Sequence, residues 1–432
     1  MWILLRLSAP ATLKPTTTLC CHASSSLSKR KERLLRSIEV TGGDPLAVRR
    51  LLCKFSGSSS KALQLEAFHH LLSSHQWAVA LPMYKIISEA PWYKWNGKLI
   101  ASLIGLLEKY EQREEALSLL GSETIKKLGP RDLATFYCNL IDSYSEHGLK
   151  NQVLETYSSL KKLPYRSGDA LAYKSIINGF SLMNLPHHAN EMLDEMMASG
   201  FKASPFEFRS LILAYGRCGF FPEMEKTLEL MENLGYSIDT VTANTILSSY
   251  GSFMEYSKMV SWLKKMASLN VDFSIRTYNS VVNSCPTILS IVQQPQTVPL
   301  SINELLELLN LSTPKELFVI QEFLSSVIQL GSVNWASEEW RLDLHGMHTG
   351  AAYVILLQWF EEMKERLYDG TVIPLEVSVV TGTGKHSSVR GESTVKKLVS
   401  EMMFQMGSPL KVDRLNVGRF VARGKAVKTW LS

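Results

Sequence analysis

Residues 170–204, ALAYKSIINGFSLMNLPHHANEMLDEMMASGFKAS, are followed without a gap by two segments of equal length and like pattern, 205–239 and 240–274. Leu193, Leu228 and Leu263 stand 35 residues apart, as do Met196, Met231 and Met266, and Gly200 and Gly235 share the period. Within the first segment Tyr173, Ile176, Ile177 and Phe180 form the i, i+3, i+4, i+7 stripe of one helix. Ala189, Met192, Leu193 and Met196 mark the face of a second, with Gly200 where a C-terminal cap is wanted. Phe208, Leu211, Ile212 and Tyr215 renew the first stripe, and Tyr278, Val281 and Val282 begin a partial unit from Ile275. A two-helix unit buries its apolar face only against neighbours. The spacing therefore predicts a mainly α chain, an α-α helical-repeat solenoid with an extended concave surface.

Upstream the register loosens. Residues 134–169 read as a unit of 36, with Tyr137, Leu140, Ile141 and Tyr144 on its first helix and Tyr157 on its second. Stretches 97–133 (Leu103, Ile104, Ala116, Leu120) and 61–96 (Ala80, Leu81, Tyr84) read as degenerate copies, so the array is placed at about 45–285. Downstream, Pro286, Pro295, Pro299 and Pro314 end the period. Residues 286–340 are expected to be a connector with two short helices, Leu305 to Leu309 and Leu317 to Ile328, covering the open end of the solenoid.

The remainder changes class. A strand at 341–345, a helix from Ala351 to Leu367, a strand at 374–381, a glycine turn at 381–385, a helix from Ser393 to Met406 and a closing strand pair predict a small α/β domain over 341–425. It starts with a right-handed βαβ unit and is followed by a basic tail, 426–432. Asp343 and His345 lie two apart on a strand and face one way, while Leu342 and Leu344 face the other. Parallel pairing brings them beside ThrGlyThrGlyLys, at the edge where α/β proteins usually bind ligands. There Gly382 and Gly384 let backbone N–H groups approach an anion, and Lys385 and His386 add positive charge. It is not a nucleotide P-loop, because Val379 and His386 occupy positions that need glycine and a hydroxyl. His348 reads as a helix-start residue and not as a metal ligand.

Composition bounds the rest. With 432 residues, two or more folded regions are expected, and 45% hydrophobic with 20% charged residues describes a globular protein. No apolar run is long enough to span a membrane. The net charge of +5 permits a polyanionic partner without requiring one. From Gly382 onward ten Lys or Arg face three Asp or Glu, with Lys411, Arg414, Arg419, Arg423, Lys425 and Lys428 concentrated near the end. The six cysteines are scattered, so neither a zinc site nor a disulfide framework is indicated. Residues 1–30 hold Arg6, Lys14, Lys29 and Arg30, many Ser and Thr and no acid, the composition of an organelle transit peptide, chloroplast ahead of mitochondrion.

The 35-residue period, ArgThrTyrAsnSerValVal (276–282), ThrAlaAsnThrIleLeuSerSerTyrGly (242–251) and GluMetMetAlaSerGlyPhe (195–201) resemble the pentatricopeptide repeat family. The competing 34-residue family binds peptides, which would make the chain a protein-binding scaffold without nucleic-acid activity. The resemblance implies binding of single-stranded RNA, one base per repeat, read by a residue early in the first helix and by the last residue of the unit. Those pairs would be Cys138 with Asp169, Lys174 with Ser204, Arg209 with Asp239 and Asn244 with Ser274, followed by Asn279. Lys174 and Arg209 offer charge, which grips phosphate without reading sequence.

LeuAspLeuHisGly (342–346) and ThrGlyThrGlyLys (381–385), in that order, resemble the small MutS-related (SMR) domain, whose members bind nucleic acid and in several cases cut it. Carried over, Asp343 and His345 are candidate catalytic residues, and Gly382, Gly384 and Lys385 the phosphate cradle. His345 would take a proton from an attacking hydroxyl or water while Asp343 orients it. A divalent metal has poor support from one carboxylate, and no cofactor is implied. Together these readings describe an organelle RNA-binding protein in RNA processing, with possible endoribonuclease activity and other RNA-processing proteins as partners.

Overall fold

The computed structural model describes residues 29–163, 169–327, 333–335, 339–383 and 393–432. The chain divides into two compact units, 1–129 and 130–432. In the first, the described residues form seven helices in order: α1 (Lys29–Val40), α2 (Pro45–Ser58), α3 (Lys61–Ser73), α4 (Trp77–Ser88), α5 (Gly97–Lys109), α6 (Arg113–Leu120) and α7 (Glu123–Lys126). The first described helix thus covers Lys29 and Arg30, inside the stretch read as a transit segment, and lies before residue 45. Helix α1 buries Leu34 and Ile38 and packs on α2. Leu103, Ile104 and Ala116, placed on degenerate repeat faces, are fully buried.

The second unit opens with the repeats: α8 (Pro130–Glu146), α9 (Lys150–Lys161), α10 (Asp169–Leu182), α11 (Pro186–Ala198), α12 (Pro205–Cys218), α13 (Phe221–Asn233), α14 (Thr240–Ser252), α15 (Tyr256–Ser268) and α16 (Ile275–Asn283). The first helix of each unit packs on the first helix of the next, α8 on α10, α10 on α12, α12 on α14 and α14 on α16. This is the solenoid the period requires. Ile176, Ile177, Leu211, Ile212, Leu193 and Leu263 are buried. Each contributes on the order of 1.5–3 kcal/mol by leaving water, so the stripe decides which face turns inward. Gly200 and Gly235 take φ +82° and +83°, and Asn270 holds the same position in the third unit at φ +52°. These left-handed residues stop the second helices, as glycine and asparagine do most cheaply. Ser204, Asp239 and Ser274 cap the N-termini of α12, α14 and α16.

Close approach between first helices depends on small residues. A Cβ on Gly216 would lie 2.6 Å from the Cβ of Ser249, and one on Gly251 would lie 3.1 Å from the Cβ of Ser284.

Beyond α16 come α17 (Pro286–Ile291), a 3-10 turn, α18 (Ile302–Ser312) and α19 (Pro314–Val327). Helix α19 lies against α15 and α16, where Phe323 meets Tyr278 edge-on with ring centres 5.7 Å apart. The connector also holds a strand that its sequence conceals, β1 (Val333–Trp335). There follow β2 (Glu339–Asp343), α20 (Thr349–Tyr368), β3 (Glu376–Val380), α21 (Thr394–Gln405), β4 (Lys411–Val412), β5 (Arg419–Arg423) and α22 (Gly424–Leu431). The sheet order is β1-β2-β3-β5-β4, with β2 and β3 parallel and the other pairs antiparallel.

Two boundaries differ from the sequence reading. Strand β2 starts and ends two residues early, because the chain turns at His345 and Gly346, the latter at φ +77°. Residues 426–431 are no free tail but part of α22, with Ser432 at its C-cap. Val427 is buried, Trp430 packs on Phe360, and its Nε1 donates to the Met406 carbonyl at 2.8 Å.

Candidate nucleic-acid interface

Position 174 on α10, 209 on α12, 244 on α14 and 279 on α16 repeat every 35 residues along the stacked first helices. Ser204, Asp239 and Ser274, the last residues of three units, cap the first helix that follows each. Arg209 Nη1 lies 2.8 Å from Asp239 Oδ2, and Asn244 Nδ2 donates to Ser274 Oγ at 3.0 Å. Two of the four proposed pairs are thereby brought together across 30 residues of sequence.

The details narrow what each pair offers. Asn244 is buried, and its Oδ1 accepts from the Thr277 hydroxyl at 2.7 Å. Burial alone would raise the Asp239 carboxyl, but the Thr242 hydroxyl and N–H and the Arg209 guanidinium together hold it below its ordinary range. The Arg209 charge is offset by this ion pair. Lys174 sits 4.6 Å above the Phe206 ring, a cation-π contact, while Ser204 forms a capping box with Glu207. Cys138 is buried, its thiol pushed up to about 12 by burial and then by Asp142. The side chain of Asp169 lies outside the described residues.

Asn279 has a different task from the other three. Its Nδ2 donates to the Gly346 carbonyl at 3.3 Å and its Oδ1 accepts from the His348 backbone N–H at 2.7 Å. One turn on, Asn283 Nδ2 lies 2.9 Å from His348 Nδ1. Below them Gly350 is so close that a Cβ would lie 3.0 Å from Val282 Cγ1. The row of first-helix positions therefore runs directly into the AspLeuHisGly turn. His348, as the sequence suggested, starts a helix, serving as the N-cap of α20.

At the carboxyl ends of β2 and β3, Trp340, Leu342 and Leu344 are buried while Asp343 and His345 face outward. His345 Nδ1 lies 2.7 Å from Asp343 Oδ1, which also accepts the His345 backbone N–H at 3.0 Å. Arg341 Nη2 stands 3.7 Å from the other carboxylate oxygen. The glycine turn is adjacent: a Cβ on Gly382 would touch His345 Cβ at 3.6 Å. The Gly382 N–H, however, donates to the Gly418 carbonyl at 3.2 Å, so it does not serve an anion as its sequence position suggested. Gly384, Lys385 and His386 lie outside the described residues. Among the described residues no group of three or more His, Cys, Asp or Glu has the arrangement of a metal site, and no helix is long and apolar enough to cross a membrane.

Two features escaped the sequence reading. Gly418 passes so close that a Cβ would lie 2.8 Å from the Gly382 carbonyl carbon, and a lone glycine 13 residues after the end of α21 carries no signal of that. Arg419, one of the basic residues concentrated near the end, is tied to Glu339 at 2.6 Å, to Glu376, and to Asp413 at 3.6 Å, joining β2, β3 and β5.

Residues 171–201, 208–236 and 241–271 match the pentatricopeptide repeat. A pentatricopeptide repeat-containing protein of Arabidopsis thaliana is 42% identical over 418 residues, covering 94% of this chain and 82% of its own length. The chain belongs to the pentatricopeptide repeat family. Another pentatricopeptide repeat-containing protein of that plant, named chloroplastic, is 26% identical over 209 residues, 48% of this chain and 41% of the relative. Among solved structures, the pentatricopeptide repeat protein PPR10 in complex with an 18-nt RNA element is 17% identical, covers 87% of this chain and 54% of its own, and superimposes with a TM-score of 0.41.

Proposed function

We propose that this pentatricopeptide repeat protein is an organelle RNA-binding protein, chloroplast ahead of mitochondrion, acting in RNA processing or stability. In this reading the solenoid binds single-stranded RNA, and an SMR-like domain over the C-terminal sheet binds or cleaves it. The observation that carries the reading is the link between position 209 or 244 and the last residue of its unit, at 2.8 and 3.0 Å. That juxtaposition is what joint recognition of one base requires.

The Asp343–His345 pair supports a chemistry for the other end. With Nδ1 bonded to the carboxylate, the ring presents Nε2 as the base, and Asp343 stabilises the imidazolium that forms. Nε2 would take the proton of a ribose 2′-hydroxyl as its oxygen attacks the adjacent phosphorus. The bond to the 5′-oxygen breaks and that oxygen takes a proton from water, leaving a 2′,3′-cyclic phosphate and a new 5′-hydroxyl.

The test is incubation of the full chain with labelled single-stranded RNA beside Asp343→Ala, following binding and cleavage together. Cleavage lost in the variant with binding retained establishes a repeat-guided nuclease. Binding without cleavage in both leaves a protein that grips RNA and protects or presents it. Absence of RNA binding by either protein overturns the reading and returns the chain to the scaffold class.

A further inference from the structure

We infer that the β4–β5 loop, residues 413–418, is a third wall of the nucleic-acid site, in which Leu415 and Arg414 receive a nucleotide of single-stranded RNA beside the Asp343–His345 pair. The inference rests on the RNA-binding reading above and deepens it.

Strand register makes the placement. Asp343 pairs with Val380, and Val380 pairs with Arg419, so the loop that precedes Arg419 emerges at the same sheet edge as the AspLeuHisGly turn and Gly382. The loop is fastened there. The Gly418 carbonyl accepts from Thr381 N at 2.8 Å and Gly382 N at 3.2 Å, and only glycine permits that approach. Within the loop, Leu415 N donates to Asp413 Oδ1 at 2.9 Å and Gly418 N to Asn416 Oδ1 at 3.1 Å. The remaining oxygen of Asp413 faces Arg419.

A loop held this firmly nevertheless shows its apolar side chains to water. Leu415 is 98% exposed and Val417 55%. Nothing within the described fold uses them. Lys411 and Arg414 precede Leu415 and are exposed, while the one acid of the loop, Asp413, is engaged by Arg419. An exposed aliphatic side chain next to an exposed arginine, with Lys411 on the strand just before, on a pre-ordered loop, matches a polymer with phosphates along its length and flat apolar faces between them. The charge favours an RNA strand over an apolar protein surface. Because Asn279 holds the AspLeuHisGly turn against α16, a strand lying on positions 174 to 244 leads towards this edge.

The experiment uses the full chain with single-stranded RNA carrying 4-thiouridine, irradiated and mapped by peptide mass spectrometry. Crosslinks are expected at 411–418 as well as on the repeats. The Arg414→Ser, Leu415→Ser double variant should bind about five- to tenfold more weakly, the loss of one phosphate contact and one stacked base, with an unchanged melting temperature. Leu415→Trp in place of Leu415→Ser, in the Arg414→Ser background, should recover part of the lost affinity, since an aromatic ring stacks on a base at least as well as leucine packs there, and a merely structural position would not respond in this way. Parental affinity in the double variant, or crosslinks confined to the repeats, overturns the loop assignment and leaves the proposed function standing. That outcome would include a loop used for a protein partner. No RNA binding by the parent chain removes the underlying reading itself.

Discussion

Replacing Gly216 with alanine tests the spacing on which the repeat surface depends. An added methyl would sit 2.0 Å from Ser249 Oγ, 2.6 Å from Ser249 Cβ and 3.1 Å from Met224 Sδ. The hydroxyl has little freedom to retreat, because it donates to the Thr245 carbonyl at 2.8 Å. The Cβ has none, being fixed to the α14 backbone. To restore ordinary contact, α12 and α14 must part by roughly 1 Å. Alanine gains about 1 kcal/mol over glycine by helix propensity, and overpacking a well-fitted contact costs about 1–3 kcal/mol. Since the clash meets atoms next to the backbone, the upper half of that range applies, and the net loss is about 1–2 kcal/mol. Hydrogen exchange of α12 and α14 amides reads this locally, without assuming that a chain of this size unfolds in one step. Exchange should quicken in both helices, and the added substitution Ser249→Gly should reverse much of it. Parting the helices also separates Arg209 from Asn244, so RNA affinity should fall with the protection. Slower exchange in Gly216→Ala, the result of helix propensity alone, would refute the close-approach argument.

Asn279→Ala removes both bonds to the AspLeuHisGly turn, so exchange at residues 344–350 should accelerate by the equivalent of about 1 kcal/mol while the core of α14 is unaffected. Arg419→Met leaves Glu339 and Glu376 facing one another without their shared cation, and should cost about 2–3 kcal/mol in thermal or urea unfolding of the sheet region. Burial alone would raise the Glu339 carboxyl, but the Ser378 hydroxyl and Arg419 hold it below its ordinary range. Its contribution is therefore present above that range and lost as pH falls through the depressed value, and Arg419→Met should flatten this acid limb of the stability curve. Cys138 and Cys285 are each pushed up to about 12, chiefly by burial. Iodoacetamide at pH 8 should modify exposed Cys53 in the native protein and reach these two only after unfolding, as read by peptide mass spectrometry.

The solenoid was legible because its signal is one-dimensional. Burial of Ile176 and Ile177, Leu211 and Ile212, and Val281 and Val282 recurs with the unit, and period alone identifies such a face. The start of α16 at Ile275 and the cap at Gly200 follow from local backbone preferences, which act within a few residues. The alternation of Trp340, Leu342 and Leu344 likewise turned Asp343 and His345 outward. Strand β1 left no such trace, since three residues acquire strand form only by pairing with β2. Helix α22 was read as a tail because its charges conceal one buried valine and one packed tryptophan.

What the amino-acid order determined by itself is whatever repeats or alternates along the chain: the helical units, their caps, the βαβ unit and the outward face of β2. What only the tertiary structure decided is how individual polar groups are employed. Asn279 occupies the same place in its unit as Asn244, yet one amide is bonded to Ser274 and the other to the AspLeuHisGly turn. Gly382 looks free to bind an anion until Gly418 arrives from 36 residues away and takes its N–H. A hydrogen bond is satisfied by whichever partner packing brings within about 3 Å, and that choice is made by contacts distant in sequence.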